Sequence, residues 1–339
     1  MAGMERNIGF ELVRATEAAA LRAARWMGRG DRESADQAAV DAMRFVLDSI
    51  EMDGIVVIGE GEKDEAPMLY IGEHLGNGSP PQVDIAVDPV EGTSLLAHGQ
   101  PGSIAVVAVA DRGTLFGTRS VVYMDKLVVG PEAKDVIDLN APVETNIRNV
   151  ARAKSVDLDD LTVVVLDRPR HAEMIKQIRA TGARIRLIPH GDVAPSIQAL
   201  LPQAGVDMLM GIGGTPEAVI SACAVRCLDG GIQCRLWPRD EKERQWALDE
   251  GLDLDKVMTV DDLVRDNDVF LAATGITSSD FLRGVHYFGQ GAATHSIVMR
   301  SASGTVRYVE ATHHFAKLMA IAELPYEDAV LRTNTELRM

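Results

Sequence analysis

The chain is poor in the features that commit a protein to a specialised environment. It has three cysteines, an odd count, whereas disulfide frameworks use even and denser sets. Cys223 and Cys227 lie one helical turn apart, with Cys234 beyond; they read as buried thiols in a reducing cytosol. No histidine or further cysteine stands near them at ligand spacing, which argues against zinc. There is no basic run, and the formal net charge is -16. Nucleic acids are gripped by clustered Lys and Arg, so no nucleic-acid partner is expected. The longest apolar runs, residues 104–110 and 163–166, are far too short for a bilayer, and no membrane partner is expected. The first residues, MAGMERNIGFELVR, lack a basic segment followed by an apolar one. Repeats and low-complexity segments are also missing. The expected location is the cytoplasm.

What is present is the composition of a globular protein: 46% hydrophobic and 25% charged residues. The 339 residues suffice for one large or two ordinary domains. An acidic chain can still take a phosphate ester if divalent cations and a few arginines reverse the field locally.

Residues 10–27 are rich in Ala, Leu, Arg and Glu and predict a helix. A second helix starts near Ser34, with Val40, Met43, Leu47 and Ile50 as its apolar stripe. A strand at residues 54–58 precedes the acidic loop GEGEKDEAP, and Pro67 suits the first turn of a third helix carrying Met68, Leu69 and Ile71. Residues 83–87 and 103–110 are short strands, and VVYMDKLVVGPE reads as a hairpin turning near Met124-Asp125-Lys126. Residues 141–154 return to helix. From Leu161, four apolar strands (LTVVVLD, RIRLIPH, VDMLMGIGG, DVFLAATG) alternate with helical stretches or loops. That alternation predicts a layered α/β fold. Hairpins follow Gly284. The expected division is a domain at 1–160, a second at 161–325 and a tail at 326–339.

Four acidic clusters carry the chemistry. Asp88-Pro89-Val90-Glu91-Gly92-Thr93 follows the strand VDIAV directly. Pro89 ends the strand ladder and Gly92 permits a tight turn. Asp88 and Glu91 then project from one strand end, as oxygen donors suited to Mg²⁺ or Mn²⁺. The plain alternative is a solvated turn. Glu60 and Asp64 lie in GEGEKDE, again after a strand, where a charged loop is the alternative. Asp36 follows Ser34, a candidate helix cap, and the helix dipole alone would explain it. In GIGGTPE, Thr215 caps a helix, Pro216 follows, and Glu217 complements the dipole. The glycines let backbone N–H groups close on a phosphate, but no GK[ST] follows, so this is not a Walker loop.

The six-residue pattern DPVEGT resembles the signature of the lithium-sensitive, metal-dependent phosphatase superfamily. The longer strings WMGRGD, GIVVIGEGEKDEAPMLYIGE, VDIAVDPVEGT, LVVGP, RPRH, GIGGTPE and ATGIT resemble the class II fructose-1,6-bisphosphatases, from about residue 10 to 310. The resemblance implies a layered α-β-α-β-α sugar-phosphatase-like fold, with the active site between domains. It implies that Asp36, Glu60, Asp88, Glu91 and Glu217 hold two or more Mn²⁺ or Mg²⁺ ions. Thr93 would position the attacking water, hydrogen-bonded to Asp36 or Asp64; Asp64 is a second candidate for ordering water or a third ion. Glu91, Gly92, Thr93, Tyr123, Arg168, Pro169, Arg170, His190, Gly191, Asp192 and Gly214 would contact substrate. Two positions depart from relatives: His190 replaces an Asp, and Ser94 stands where some have Arg.

The implied activity is hydrolysis of the 1-phosphate of fructose 1,6-bisphosphate, in gluconeogenesis. A dual activity on sedoheptulose 1,7-bisphosphate shares the same reacting end. An inositol or nucleotide monophosphatase would use the same metal chemistry, and a non-catalytic sugar-phosphate sensor is the reading from another class. A homo-oligomer, dimer or tetramer, is expected.

Overall fold

The computed structural model describes residues 7–61, 69–118, 120–202 and 204–321. The chain opens with two helices, α1 (Ile8–Ala23) and α2 (Arg32–Asp48). It then lays down strands β1 (Asp53–Ile58), β2 (His74–Leu75), β3 (Gln82–Glu91) and β4 (Ile104–Asp111), with the short α3 (Thr93–Ala97) between the last two. A long excursion follows: β5 (Tyr123–Val129), α4 (Val143–Lys154), β6 (Thr162–Leu166), α5 (Ala172–Ala180), β7 (Arg184–Ile188) and α6 (Val193–Leu200). It continues through β8 (Met208–Gly214), α7 (Thr215–Leu228), β9 (Gly231–Leu236), α8 (Glu241–Asp249), β10 (Met258–Thr259) and α9 (Val260–Leu263). The chain ends its described part with β11 (Phe270–Gly275), β12 (His286–Phe288), β13 (Gly291–Arg300), β14 (Thr305–His314) and α10 (Phe315–Ile321).

These strands form two sheets. The first has the order β12-β13-β11-β4-β3-β1-β2, with β14 also paired to β13; the second runs β10-β9-β5-β8-β6-β7. Strand β4 shows why the layers stack. Its apolar run alternates faces with the period of a strand: Ile104, Val106, Ala108 and Ala110 enter one core, and Ala105, Val107 and Val109 another. The latter core takes the apolar stripes of α1 and α2, including Leu12, Ala19, Val40, Met43 and Leu47. The former lies between the sheets and is filled by α6 and α7. On the far side of the second sheet, Ile147 and Val150 of α4 and Ile175 and Ile178 of α5 cover Leu127 and Val129 of β5. The order α-β-α-β-α follows, as the family resemblance implies. Buried hydroxyls tie the outer helix on: Thr16 lies 2.7 Å from Thr274, which lies 2.8 Å from Ser296.

Several expectations are corrected. The sheets do not divide at residue 160, because β5 belongs to the second sheet and β11–β14 return to the first. Residues 270–275 look like the strands before them in composition, yet they pair antiparallel with β4, Phe270 opposite Val109 and Gly275 opposite Ile104. Residues 123–129 form no hairpin. They make one strand, antiparallel to β8 on one side and β9 on the other; Met-Asp-Lys offers no turn-forming Gly, Asn or Pro. Of the expected third helix, Pro67 and Met68 lie outside the described residues, and Leu69 to Ile71 are not helical. Asp31, not Ser34, caps α2, its carboxylate accepting the Ser34 N–H at 3.0 Å. Gly214 is the N-cap of α7, and Thr215 instead donates its hydroxyl to Val121 O at 2.9 Å. Among the described residues, no helix is long and apolar enough to cross a membrane.

Candidate active site

The carboxyl ends of five strands point to one place. Glu60 follows β1, Asp88 and Glu91 close β3, Arg168 and Arg170 follow β6, His190 to Asp192 follow β7, and Glu217 follows β8. Tyr123 joins them from the start of β5, which runs antiparallel to β8. Open α/β sheets bind ligands beyond their carboxyl edges. Here a cavity of about 420 Å³ opens there, between the two sheets.

Asp36, Glu60, Asp88, Glu91 and Glu217 line the cavity. Pro89 cannot donate to the ladder, and the β3–β4 register shifts between Asp88 and Glu91. The Val90 N–H turns back to Asp88 Oδ1 at 3.0 Å. Gly92 then takes φ +82° and opens α3, so that Thr93 is its first residue. Asp36 reaches the cavity from α2, Glu60 from the β1 loop, and Glu217 from the first turn of α7.

Burial raises every one of these acids, and neighbouring carboxylates raise all but Asp36 further. Burial, then the charges of Asp36 and Glu217, push Glu60 up to about 7. Burial lifts Asp36 to about 6, although Thr93 and Arg32 pull the other way. Glu91 is carried to about 8 by burial and by its neighbours Asp192 and Glu217. Asp88 stands well above its usual range for the same reasons, and Glu217 is raised too. A protein gains nothing by collecting like charges out of water unless something answers them.

The donor set names what would answer. Glu91 Oε1 accepts the Val193 N–H at 3.2 Å, but Glu91 Oε2 and Glu217 Oε2 are buried with no hydrogen-bond partner. Unpartnered carboxylate oxygens are the hard donors that Mg²⁺ and Mn²⁺ take. As the side chains stand, no three Asp, Glu, His or Cys groups among the described residues converge tightly enough to clasp a single ion. The acids ring the cavity, and a shared cation requires their side chains to draw in.

Basic and aromatic groups share the lining. The Arg170 guanidinium lies 5.0 Å from the Tyr123 ring centroid and donates to Ile212 O at 2.8 Å. Trp237 meets Tyr123 edge-on at 6.3 Å. Arg168 Nη2 lies 3.1 Å from His190 Nδ1. Burial, then the nearby charges of Arg168, Arg32 and His98, hold His190 below its usual value. A neutral His190 therefore accepts from Arg168.

All the sequence-derived candidates among the described residues line this cavity except Pro169, which opens the short turn carrying Arg170. Asp64 lies outside the described residues. The Thr93 hydroxyl donates to Val90 O at 3.0 Å, and Asp36 feels it as a neighbour. Asp192 lines the cavity, yet its carboxylate is held at 2.7 Å by Lys126. Sequence reasoning passed over Lys126, whose signal was a lone cation inside the apolar strand YMDKLVV. It also passed over His171, buried beside the glycine strand, whose Nε2 accepts the Ile212 N–H at 2.8 Å. Gly213 is explained by this packing. A Cβ there would lie 2.1 Å from Asp192 Oδ2 and 2.8 Å from Lys126 Nζ.

Comparison with known proteins gives the family. Residues 6–313 match the model for the glpX-encoded bacterial fructose-1,6-bisphosphatase family. The class 2 fructose-1,6-bisphosphatase of Haemophilus influenzae is 46% identical over 334 residues, 95% of this chain and 100% of that one. Fructose-1,6-bisphosphatase 1 class 2 of Escherichia coli K12 is 45% identical over 324 residues, 92% of this chain and 96% of its own. The solved extragenic suppressor protein suhB of Bartonella henselae is 15% identical, covering 58% of this chain and 74% of that one with a TM-score of 0.34. That last likeness is too slight to define the fold. With the family model matched over residues 6–313 and relatives about 45% identical over most of the chain, this chain belongs to the glpX-type, class 2 fructose-1,6-bisphosphatases.

Proposed function

We propose that this chain hydrolyses the 1-phosphate of fructose 1,6-bisphosphate, giving fructose 6-phosphate and inorganic phosphate. The observation that carries the reading is the lining of the cavity: buried acids, two of them with unpartnered oxygens, share one space with Arg168 and Arg170. A substrate with a phosphate at each end has a use for both.

Two or more Mn²⁺ or Mg²⁺ ions, held by Asp36, Glu60, Asp88, Glu91 and Glu217, would polarise phosphoryl oxygens and acidify a bound water when present. The chain's own groups do the rest. Arg168 and Arg170 hold the distal phosphate through charge-assisted hydrogen bonds. Tyr123 braces Arg170 with its ring face. Thr93, its proton held by Val90 O, offers a free lone pair beside Asp36 that orients the attacking water. The water oxygen bonds to phosphorus, the ester P–O bond breaks, and the leaving alkoxide takes up a proton. No phosphoenzyme is required.

The test is phosphate release from chelator-stripped protein, with and without Mn²⁺ or Mg²⁺. Fructose 1,6-bisphosphate, sedoheptulose 1,7-bisphosphate and inositol 1-phosphate are compared at equal concentration. Metal-dependent release from fructose 1,6-bisphosphate is expected. Release from inositol 1-phosphate alone would move the reading to a monophosphatase, and no release from a folded, metal-loaded chain would overturn it.

A further inference from the structure

His171 closes the short turn Pro169–His171 and is 1% exposed. Unlike Arg168 and Arg170, it does not line the cavity. Strands β6 and β8 pair at Val163–Met208 and Val164–Leu209; past these residues the imidazole bridges them. Its Nε2 accepts the Ile212 N–H at 2.8 Å, so the ring hydrogen sits on Nδ1, which donates to Leu166 O at 2.7 Å. Burial holds this imidazole below its usual value, against Leu166 O and Asp125 and with the help of Arg170 and Arg168. Gly211 makes the room: it takes φ +123°, and a Cβ there would lie 3.0 Å from His171 Nε2. The next residue of β8 is gripped on its other polar group as well, because Arg170 Nη2 donates to Ile212 O at 2.8 Å. Two consecutive side chains of one turn thus hold both the N–H and the C=O of a single residue.

We propose that His171 is a positioning residue for the distal phosphate: by fixing Ile212 it holds the carbonyl on which the Arg170 guanidinium rests. The role rests on the bisphosphatase reading proposed above. A side chain that cannot accept at this place leaves the Ile212 N–H buried and unanswered, and lets β8 shift against the turn. Arg170 must then be ordered as the phosphate binds, and that ordering is taken from the affinity. The acidic groups come from other turns, and β8 stays paired with β5 as far as Gly214, so the chemical step is left nearly intact.

Three replacements separate the two bonds of the ring. Gln can bring an amide oxygen to the place of Nε2, Asn an amide nitrogen to the place of Nδ1, and Phe keeps only the volume. His171→Phe and His171→Asn should raise KM for fructose 1,6-bisphosphate about tenfold, with kcat within about twofold of the parent. His171→Gln should recover most of the affinity. The Kd of fructose 6-phosphate on the Mg²⁺-loaded full chain, by calorimetry, should follow the same order, while Mn²⁺ affinity stays at the parent value. In an Arg170→Ala background, His171→Phe should add less than about twofold to KM. Thermal melts check folding, and if the Phe variant does not fold, the Gln and Asn variants decide. A histidine that only stabilises the fold would lower Tm without separating KM from kcat. An unchanged KM in the Phe and Asn variants overturns the role, and so does a full tenfold effect on top of Arg170→Ala. If the parent chain hydrolyses none of the phosphate esters, the bisphosphatase reading falls and the fructose 6-phosphate series alone decides the role. A parent chain that does not bind fructose 6-phosphate overturns both.

Discussion

Lys126 Nζ lies 2.7 Å from Asp192 Oδ2, and the two side chains are 0% and 4% exposed. Burial alone would push the ammonium down, yet the Asp192 and Glu217 carboxylates carry it above its usual value. The pair sits in the floor of the cavity, where it fixes the start of α6 and offsets part of the acidic charge. Breaking a buried pair from one side leaves the other charge stranded, at a cost of about 3–5 kcal/mol. Lys126→Met should therefore destabilise the chain by that order in urea unfolding. Lys126→Met with Asp192→Asn removes both charges and should recover most of the loss. A double variant as unstable as the single one would mean that the pair is not the source.

Thr93 donates its hydroxyl to Val90 O at 3.0 Å and stands beside Asp36 in the cavity wall. If its hydroxyl aligns the attacking water, Thr93→Ala should lower kcat by about 10²-fold or more while KM stays close to the parent value. Thr93→Ser keeps the proton and should keep much of the rate. An unaltered kcat in Thr93→Ala would remove this residue from the mechanism.

How far the site could be read from the chain depended on whether each residue belonged to a contiguous string. Asp88 to Thr93 and Gly211 to Glu217 stand in strings whose turn chemistry is local, so the break in β3 and the start of α7 were legible to within a residue. The layering was legible too, because strands separated by helical stretches, as from Leu161 onward, call for sheets covered by helices. Long-range pairing was not. Nothing in DVFLAATG distinguishes a strand of one sheet from a strand of the other; only β4, more than 150 residues earlier, decides it. Lys126 was hidden for the same reason, since its partner Asp192 is supplied by another element.

Arg170 holds two contacts besides any phosphate, Ile212 O and the Tyr123 ring. Both use the flat guanidinium, so its donors are aimed before substrate arrives. Arg170→Ala should raise KM for fructose 1,6-bisphosphate by about 10- to 100-fold, the worth of charged hydrogen bonds at roughly 1.5–3 kcal/mol. Arg170→Lys should recover little, because a point charge cannot stack and bond in the same plane. Inorganic phosphate inhibition should weaken in parallel. Full recovery by lysine would show that charge alone was needed.

Far from the cavity, Glu17 of α1 is buried and accepts the Thr294 hydroxyl at 3.0 Å. His313 Nε2 stands 3.8 Å away, but burial holds this imidazole below its usual value, so it supplies no counter-charge near neutrality. Burial carries Glu17 from 4.5 to about 7, against the smaller pull of Thr294 and of Arg14. The folded chain thus keeps a proton that the unfolded chain releases above about pH 4.5. Stability from this group is complete below that pH, falls as pH rises, and is gone above about pH 7. The displacement is worth about 3 kcal/mol. Glu17→Gln keeps an acceptor for Thr294 and has no proton to lose. Urea unfolding at pH 5 and pH 8 should show the variant gaining on the parent chain by most of that amount at the higher pH. Other groups titrate over the same span, so the difference between the two proteins, not either curve alone, is the readout. A constant difference across the span would mean that Glu17 is ionised in the folded chain throughout.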